Sequence, residues 1–155
     1  MVTTTVRDNH KSRVYGAEQM LRGIYDTGGS VTLQGIPLQL EPEDHFTSLA
    51  DVQVFIDRVI SHPEVIEALG PHPRITVRER KGQKFAHYEH DANQVAINTT
   101  GTGWGLRELV VLHELAHAYT PGHRHGPAFT DALLTLVGII IGPQAALALR
   151  LSLED

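Results

Sequence analysis

His113, Glu114 and His117 fall in the run His113-Glu114-Leu115-Ala116-His117, with two imidazoles four residues apart and a carboxylate beside the first. Leu106, Leu109, Val110 and Leu112 precede them at the period of an amphipathic helix. Four residues advance about 400° round a helix, so the two imidazoles project one turn apart from nearly the same face. Held that way, they can grip one metal ion. Glu114 lies about 100° further round, outside the ligand pair but beside the ion's open position. There a carboxylate can take a proton from a water whose pKa a divalent ion lowers from near 16 to about 7. The chemistry offered by this spacing is metal-assisted hydrolysis.

A third ligand must come from elsewhere. Pro121-Gly122 reads as a helix terminator after which the chain can turn back, bringing His123 or His125 to the ion. His123 stands where the metzincin pattern H-E-x-x-H-x-x-G-x-x-H has its third histidine, but Thr120 replaces that pattern's glycine. The only methionines are Met1 and Met20, so no Met-turn follows. His123 is the weaker candidate on these grounds, and the choice between the two stays open.

His125 begins the run His125-Gly126-Pro127-Ala128-Phe129, and here the chain resembles the SprT-like and WLM metallopeptidases. Their pattern is H-E-x-x-H, a short loop, then H-G-x-x-F; the matching residues are His113, Glu114, His117, His125, Gly126 and Phe129. The segment from Arg7-Asp8 through Arg13-Val14-Tyr15-Gly16-Ala17-Glu18 is similar to the opening of a small actinobacterial family of metallohydrolases. The resemblance implies an α+β fold of the compact zincin, minigluzincin-like type: an antiparallel sheet, an active-site helix and flanking helices. It implies one zinc ion held by His113, His117 and His125, with Glu114 as general base and a peptide or protein amide as substrate. In these families an extended substrate adds itself to an edge strand near the metal, and Gln94 to Thr99 is the candidate edge here.

Two other readings keep the metal. One is a hydrolase of a smaller amide; the other is a noncatalytic regulatory or binding module stabilised by zinc. Glu114 argues against the second, since a structural site has no need of a base. Regulatory proteases of the ImmA/IrrE kind also use H-E-x-x-H. Many SprT-like proteins act on DNA-attached proteins and carry a zinc ribbon, which a chain without cysteine cannot build.

With 155 residues, 41% of them hydrophobic, the chain suits one domain, residues 1–155, with its own core. The lack of cysteine excludes a disulfide framework, a thiol nucleophile and cysteine-ligated metal, leaving His, Asp and Glu as ligands. A reducing cytoplasm fits. The net charge of −5, with both signs interspersed, offers no basic face for nucleic acid. Met1 to His10 lacks the apolar stretch of a secretory signal. Ala132 to Leu149 is apolar, but Thr135, Gly138 and Gly142-Pro143 interrupt it, which predicts two buried helices rather than a membrane span.

The elements that must position the motif follow from periodicity. Lys11 to Asp26 reads as a helix packing over a sheet, closed by Gly28-Gly29. Val31 to Leu33 and Ile36 to Leu40 read as one strand kinked near Gly35-Ile36-Pro37. Ser48 caps a helix carrying Leu49, Val52, Ile56, Val59 and Ile60, and Pro63 opens a short continuation to Leu69. From Arg74 to Asn98 the pattern is an antiparallel meander: a strand around Ile75 and Val77, a second from Lys84 to His90, a third from Gln94 to Asn98. Thr99 to Gly105 is a small-residue connection without the lysine of a phosphate loop, and Trp104 is placed to pack under the next helix.

Several side chains invite roles and have ordinary alternatives. His87 and His90 should point to opposite faces of their strand and so not share a site. Tyr88 and Tyr119 could each steady an oxyanion or simply pack. Asp131 could orient a ligand imidazole or sit solvated on its helix. His10, His45, His62 and His72 lie in polar or proline-containing segments.

Overall fold

The computed structural model describes residues 10–82, 86–100 and 106–154. Lys84, Trp104 and most of the small-residue connection lie outside these residues. The described chain is α+β, with six helices, a two-stranded sheet and a three-stranded mixed sheet.

Helix α1 (Lys11–Asp26) buries Val14, Ala17, Glu18, Leu21 and Ile24 and packs chiefly against the last helix, Pro143–Leu153, rather than over a sheet. The predicted kinked strand is instead a hairpin of β1 (Ser30–Leu33) and β2 (Ile36–Gln39). Gln34 and Gly35 form its two-residue turn with φ of 48° and 77°. A tight hairpin turn of this kind needs both angles positive, and Gly35 supplies one without a steric cost. Helix α2 (Leu49–Ser61) starts as expected, with the Ser48 hydroxyl accepting from the Asp51 amide at 3.2 Å. Helix α3 (Pro63–Leu69) ends at Gly70.

The larger sheet departs from the predicted meander. Its strands are β3 (Thr76–Glu79), β4 (Ala86–Glu89) and β5 (Gln94–Ile97), in spatial order β3-β5-β4, with β3 parallel and β4 antiparallel to β5. The physical reason is apolar content. Val95, Ala96 and Ile97 are consecutive and fully buried, the pattern of a strand covered on both faces, so β5 takes the centre. The polar strand Ala86-His87-Tyr88-Glu89 goes to the edge. Gln94 to Thr99 is therefore not an edge; β3 and β4 are the edges, and β4 is the one beside the helix that carries the motif.

Helix α4 (Glu108–Tyr119) carries the motif, and only His117 and Tyr119 of its residues escape full burial. It lies between β4 and β5 on one side and helix α5 (Pro127–Ile140) on the other, so it is not amphipathic. Its entry is fixed by the segment around Glu43. That side chain accepts from the Leu109 amide at 2.8 Å and from Arg107 Nε at 2.9 Å, while the Phe46 amide donates to the Leu106 carbonyl at 2.8 Å. A carboxylate at a helix N-terminus satisfies free amides and complements the dipole. The break at Gly142 separates α5 from α6 (Pro143–Leu153), as predicted. Phe129, Leu133, Leu136 and Leu149 join Leu112 and Leu115 in the core. Among the described residues no helix is long and apolar enough to cross a membrane.

Candidate metal centre

Helix α4 presents His113 and His117, and the chain then turns through Gly122, whose φ of 80° suits a residue without a side chain. The return brings His125 back, so that one nitrogen from each of His113, His117 and His125 lies within 4.8 Å of the others. Among the described residues this is the one group of three ligand-type side chains so gathered. His123 is exposed and stands apart from it.

One separation has the size that two ligands of a shared ion need. Tetrahedral nitrogen ligands about 2.0–2.1 Å from the ion lie about 3.3 Å from one another, and His113 Nε2 is 3.2 Å from His125 Nε2. Three nitrogens and no thiolate match the donor set of a catalytic site with an open position.

Two residues hold this geometry in place. Glu18, 2% exposed, lies with Oε1 2.6 Å from His113 Nδ1. Accepting the Nδ1 proton fixes the tautomer that leaves Nε2 free to ligate. Phe129 is fully buried and its ring centre lies 4.9 Å from His113, 4.4 Å from His117 and 4.9 Å from His125. One aromatic thus backs all three imidazoles. Gly126 keeps the turn close, since a Cβ there would meet the His123 carbonyl oxygen at 3.2 Å. The H-G-x-x-F run is in these terms a candidate ligand, a close turn and an aromatic platform.

The charge distribution favours a cation. Burial opposes charge on His113, yet the carboxylates of Glu18 and Glu114 outweigh it and raise its pKa to about 9. The same field favours a metal ion among the three rings. Burial pushes the Glu114 carboxyl above its ordinary value, opposed by His113, by the Tyr88 amide and by Arg80.

Glu114 faces a cleft of about 670 Å³ shared with His117 and His125, with β4 along its wall. Ala86, His87 and Tyr88 of that strand line it, and so does His90. His87 and His90 thus border the same cleft, against the expectation from strand alternation. Residue 90 lies beyond the end of β4, where alternation no longer applies. Tyr15 of α1 also lines the cleft, with its ring stacked on His113 at 5.1 Å and tilted against His125 at 5.4 Å.

Glu18 and Tyr15 were not assigned roles by sequence reasoning, which treated α1 as packing alone. A signal existed: Glu18 falls on the apolar stripe of Val14, Leu21 and Tyr25, where a carboxylate needs a partner. The Tyr88 hydroxyl donates to Asn93, and the Tyr119 ring packs edge-on against His72 with its pKa raised to about 12 by burial. Asp131 is exposed on α5, away from the three imidazoles. His62 caps α3 by accepting from the Glu64 amide. Comparison with protein-family models, with curated proteins and with solved structures finds no match to this chain.

Proposed function

We propose that this protein is a zinc-dependent metallohydrolase of the zincin type, acting on peptide or protein amide bonds. The observation that carries the proposal is the gathering of His113, His117 and His125, with Glu114, His117 and His125 lining one cleft and Glu18 behind His113. The three neutral imidazoles would hold the ion. When bound, zinc supplies a Lewis acid for the carbonyl and lowers the pKa of water. Glu114 accepts a proton from the attacking water and returns it to the leaving nitrogen. Its buried setting, which raises its pKa, strengthens it as a base. The outer edge of β4 offers backbone donors and acceptors along which an extended polypeptide can lie. The resemblance to SprT-like and WLM peptidases supports an amide substrate, and the lack of cysteine fits a cytoplasmic setting.

The test is elemental analysis of protein purified without chelator, beside His113→Ala. About one zinc per chain, lost in the variant, is expected. Glu114→Gln should keep that zinc and lose peptide hydrolysis. Absence of zinc after reconstitution, or full turnover by Glu114→Gln, would overturn the proposal.

A further inference from the structure

Arg74, Arg78, Arg107 and Arg150 each lie within 4 Å of a carboxylate. Arg80 and Arg124 both line the metal cleft, and among the described residues neither has a carboxylate at ion-pair distance. Among the described residues the only carboxylate lining that cleft is Glu114, which the hydrolytic reading reserves for the proton. Among the described residues its lining thus holds two arginines against one carboxylate.

Arg80 is positioned rather than loose. Its amide donates to the Ile97 carbonyl at 2.8 Å, and its guanidinium donates to His87 Nδ1. His87 Nε2 in turn lies 3.5 Å from Glu89, which Arg78 grips with two bonds, Nε to Oε1 at 2.7 Å and Nη2 to Oε2 at 3.1 Å. Register explains the grouping. Arg78 and His87 both pair with Ala96, whose small side chain lets long side chains meet across the central strand. Arg78 and Glu89 thus display, two residues from Arg80, the forked carboxylate grip of which a guanidinium is capable. Arg124 is placed differently. It adopts a φ of 51°, unusual for a side-chain-bearing residue, immediately before His125. This turn carries His125 inward while Arg124 stays exposed on the cleft.

We propose that the cleft selects polypeptide substrates bearing a carboxylate, held by Arg80 and Arg124 beside the scissile bond. This rests on the amide-hydrolase reading and deepens it. The carboxylate belongs either to an acidic side chain or to a free C-terminus, which offer the same chemistry to a guanidinium.

The test uses zinc-loaded Glu114→Gln, which should bind without cutting, and measures fluorescence anisotropy of four labelled peptides of one sequence. These carry an internal Glu or Gln, and a free or amidated C-terminus. At least one carboxylate should tighten binding about 10-fold or more, and the peptide pair that shows it identifies the source. Adding Arg80→Gln should abolish that preference and Arg124→Gln should weaken it, with zinc content unchanged. Equal affinities for all four peptides, or a preference that survives both substitutions, overturn the inference. So does a single-stranded oligonucleotide that binds more tightly than the acidic peptides and loses affinity in the same variants. Repeating the titration with zinc removed separates the two proposals. Hydrolysis by wild-type protein without charge preference sinks the carboxylate site alone. Arginine-dependent binding by a chain that takes up no zinc sinks the hydrolase reading alone.

Discussion

Glu18 Oε1 lies 2.6 Å from His113 Nδ1, joining the first helix to α4 across 95 residues of sequence. Both groups are almost wholly buried, so water cannot substitute for either partner. Glu18 also interacts with Arg22, which in turn feels Arg107 and Glu43 at the start of α4. The His113 imidazole is oriented by a group that its own helix could not supply.

Removing that orientation should be felt by the ion. Glu18→Gln keeps the side-chain shape but loses the charge, and zinc affinity is expected to fall about 10- to 100-fold. Competition against a chromophoric chelator measures it. The rise in Tm on adding a fixed excess of zinc should shrink in parallel, since that rise tracks ligand concentration over Kd. Unchanged zinc affinity would mean that Glu18 serves packing only.

The third ligand can be decided by a pair of substitutions. His125→Ala is expected to lose zinc and His123→Ala to retain it, because His125 faces His113 at 3.2 Å whereas His123 is exposed. Zinc content of the two purified variants, measured side by side, checks this. The opposite order would mean that the loop after Gly122 rearranges on metal binding.

Phe129 separates packing from ligation. Phe129→Ala removes the ring that touches all three imidazoles and opens a cavity in a fully buried position, at a cost of about 3–5 kcal/mol. Phe129→Leu refills most of the volume without the aromatic face, and should lose less stability. Denaturant unfolding of the metal-free proteins reads the packing part. Zinc affinity of the leucine variant reads what the ring contributes to holding the histidines.

How much of this was legible beforehand depended on whether the information was local. His113, Glu114 and His117 lie on one helix, where spacing alone sets direction, and the structure gathers the two histidines on one side as the period required. His125 and Phe129 were singled out by the resemblance of their short run to the H-G-x-x-F pattern, while spacing alone left His123 and His125 both open. Helix boundaries at Ser48, Pro63 and Gly142 followed from caps and breakers. Strand order did not, because pairing joins segments far apart in sequence and a meander is only the simplest arrangement. The apolar run Val95-Ala96-Ile97 was the overlooked sign of a central strand. Glu18 was missed for a related reason: a buried carboxylate announces that a partner exists, but not which one.

Glu108 gives a pH prediction independent of the metal. Burial raises its pKa to about 7, against the opposing hydrogen bond from the Asp44 amide and with nearby Asp44 and Glu43 adding to the rise. An unfolded chain releases this proton near 4.5, whereas the folded chain holds it to about 7. The penalty is therefore absent below the unfolded value, grows as pH rises between the two, and is complete above the folded one. Glu108→Gln removes the titration, and its amide oxygen can still accept from Asp44, which now donates to Glu108 at 2.6 Å. The Tm of this variant minus that of wild type should grow more positive through that pH window, both measured with chelator present. Subtracting the two curves cancels the titration of the histidines, which both proteins share. A flat difference would mean that Glu108 ionises in the folded protein as readily as in the unfolded chain, and that the clasp around Glu43 is more open to water than its burial suggests.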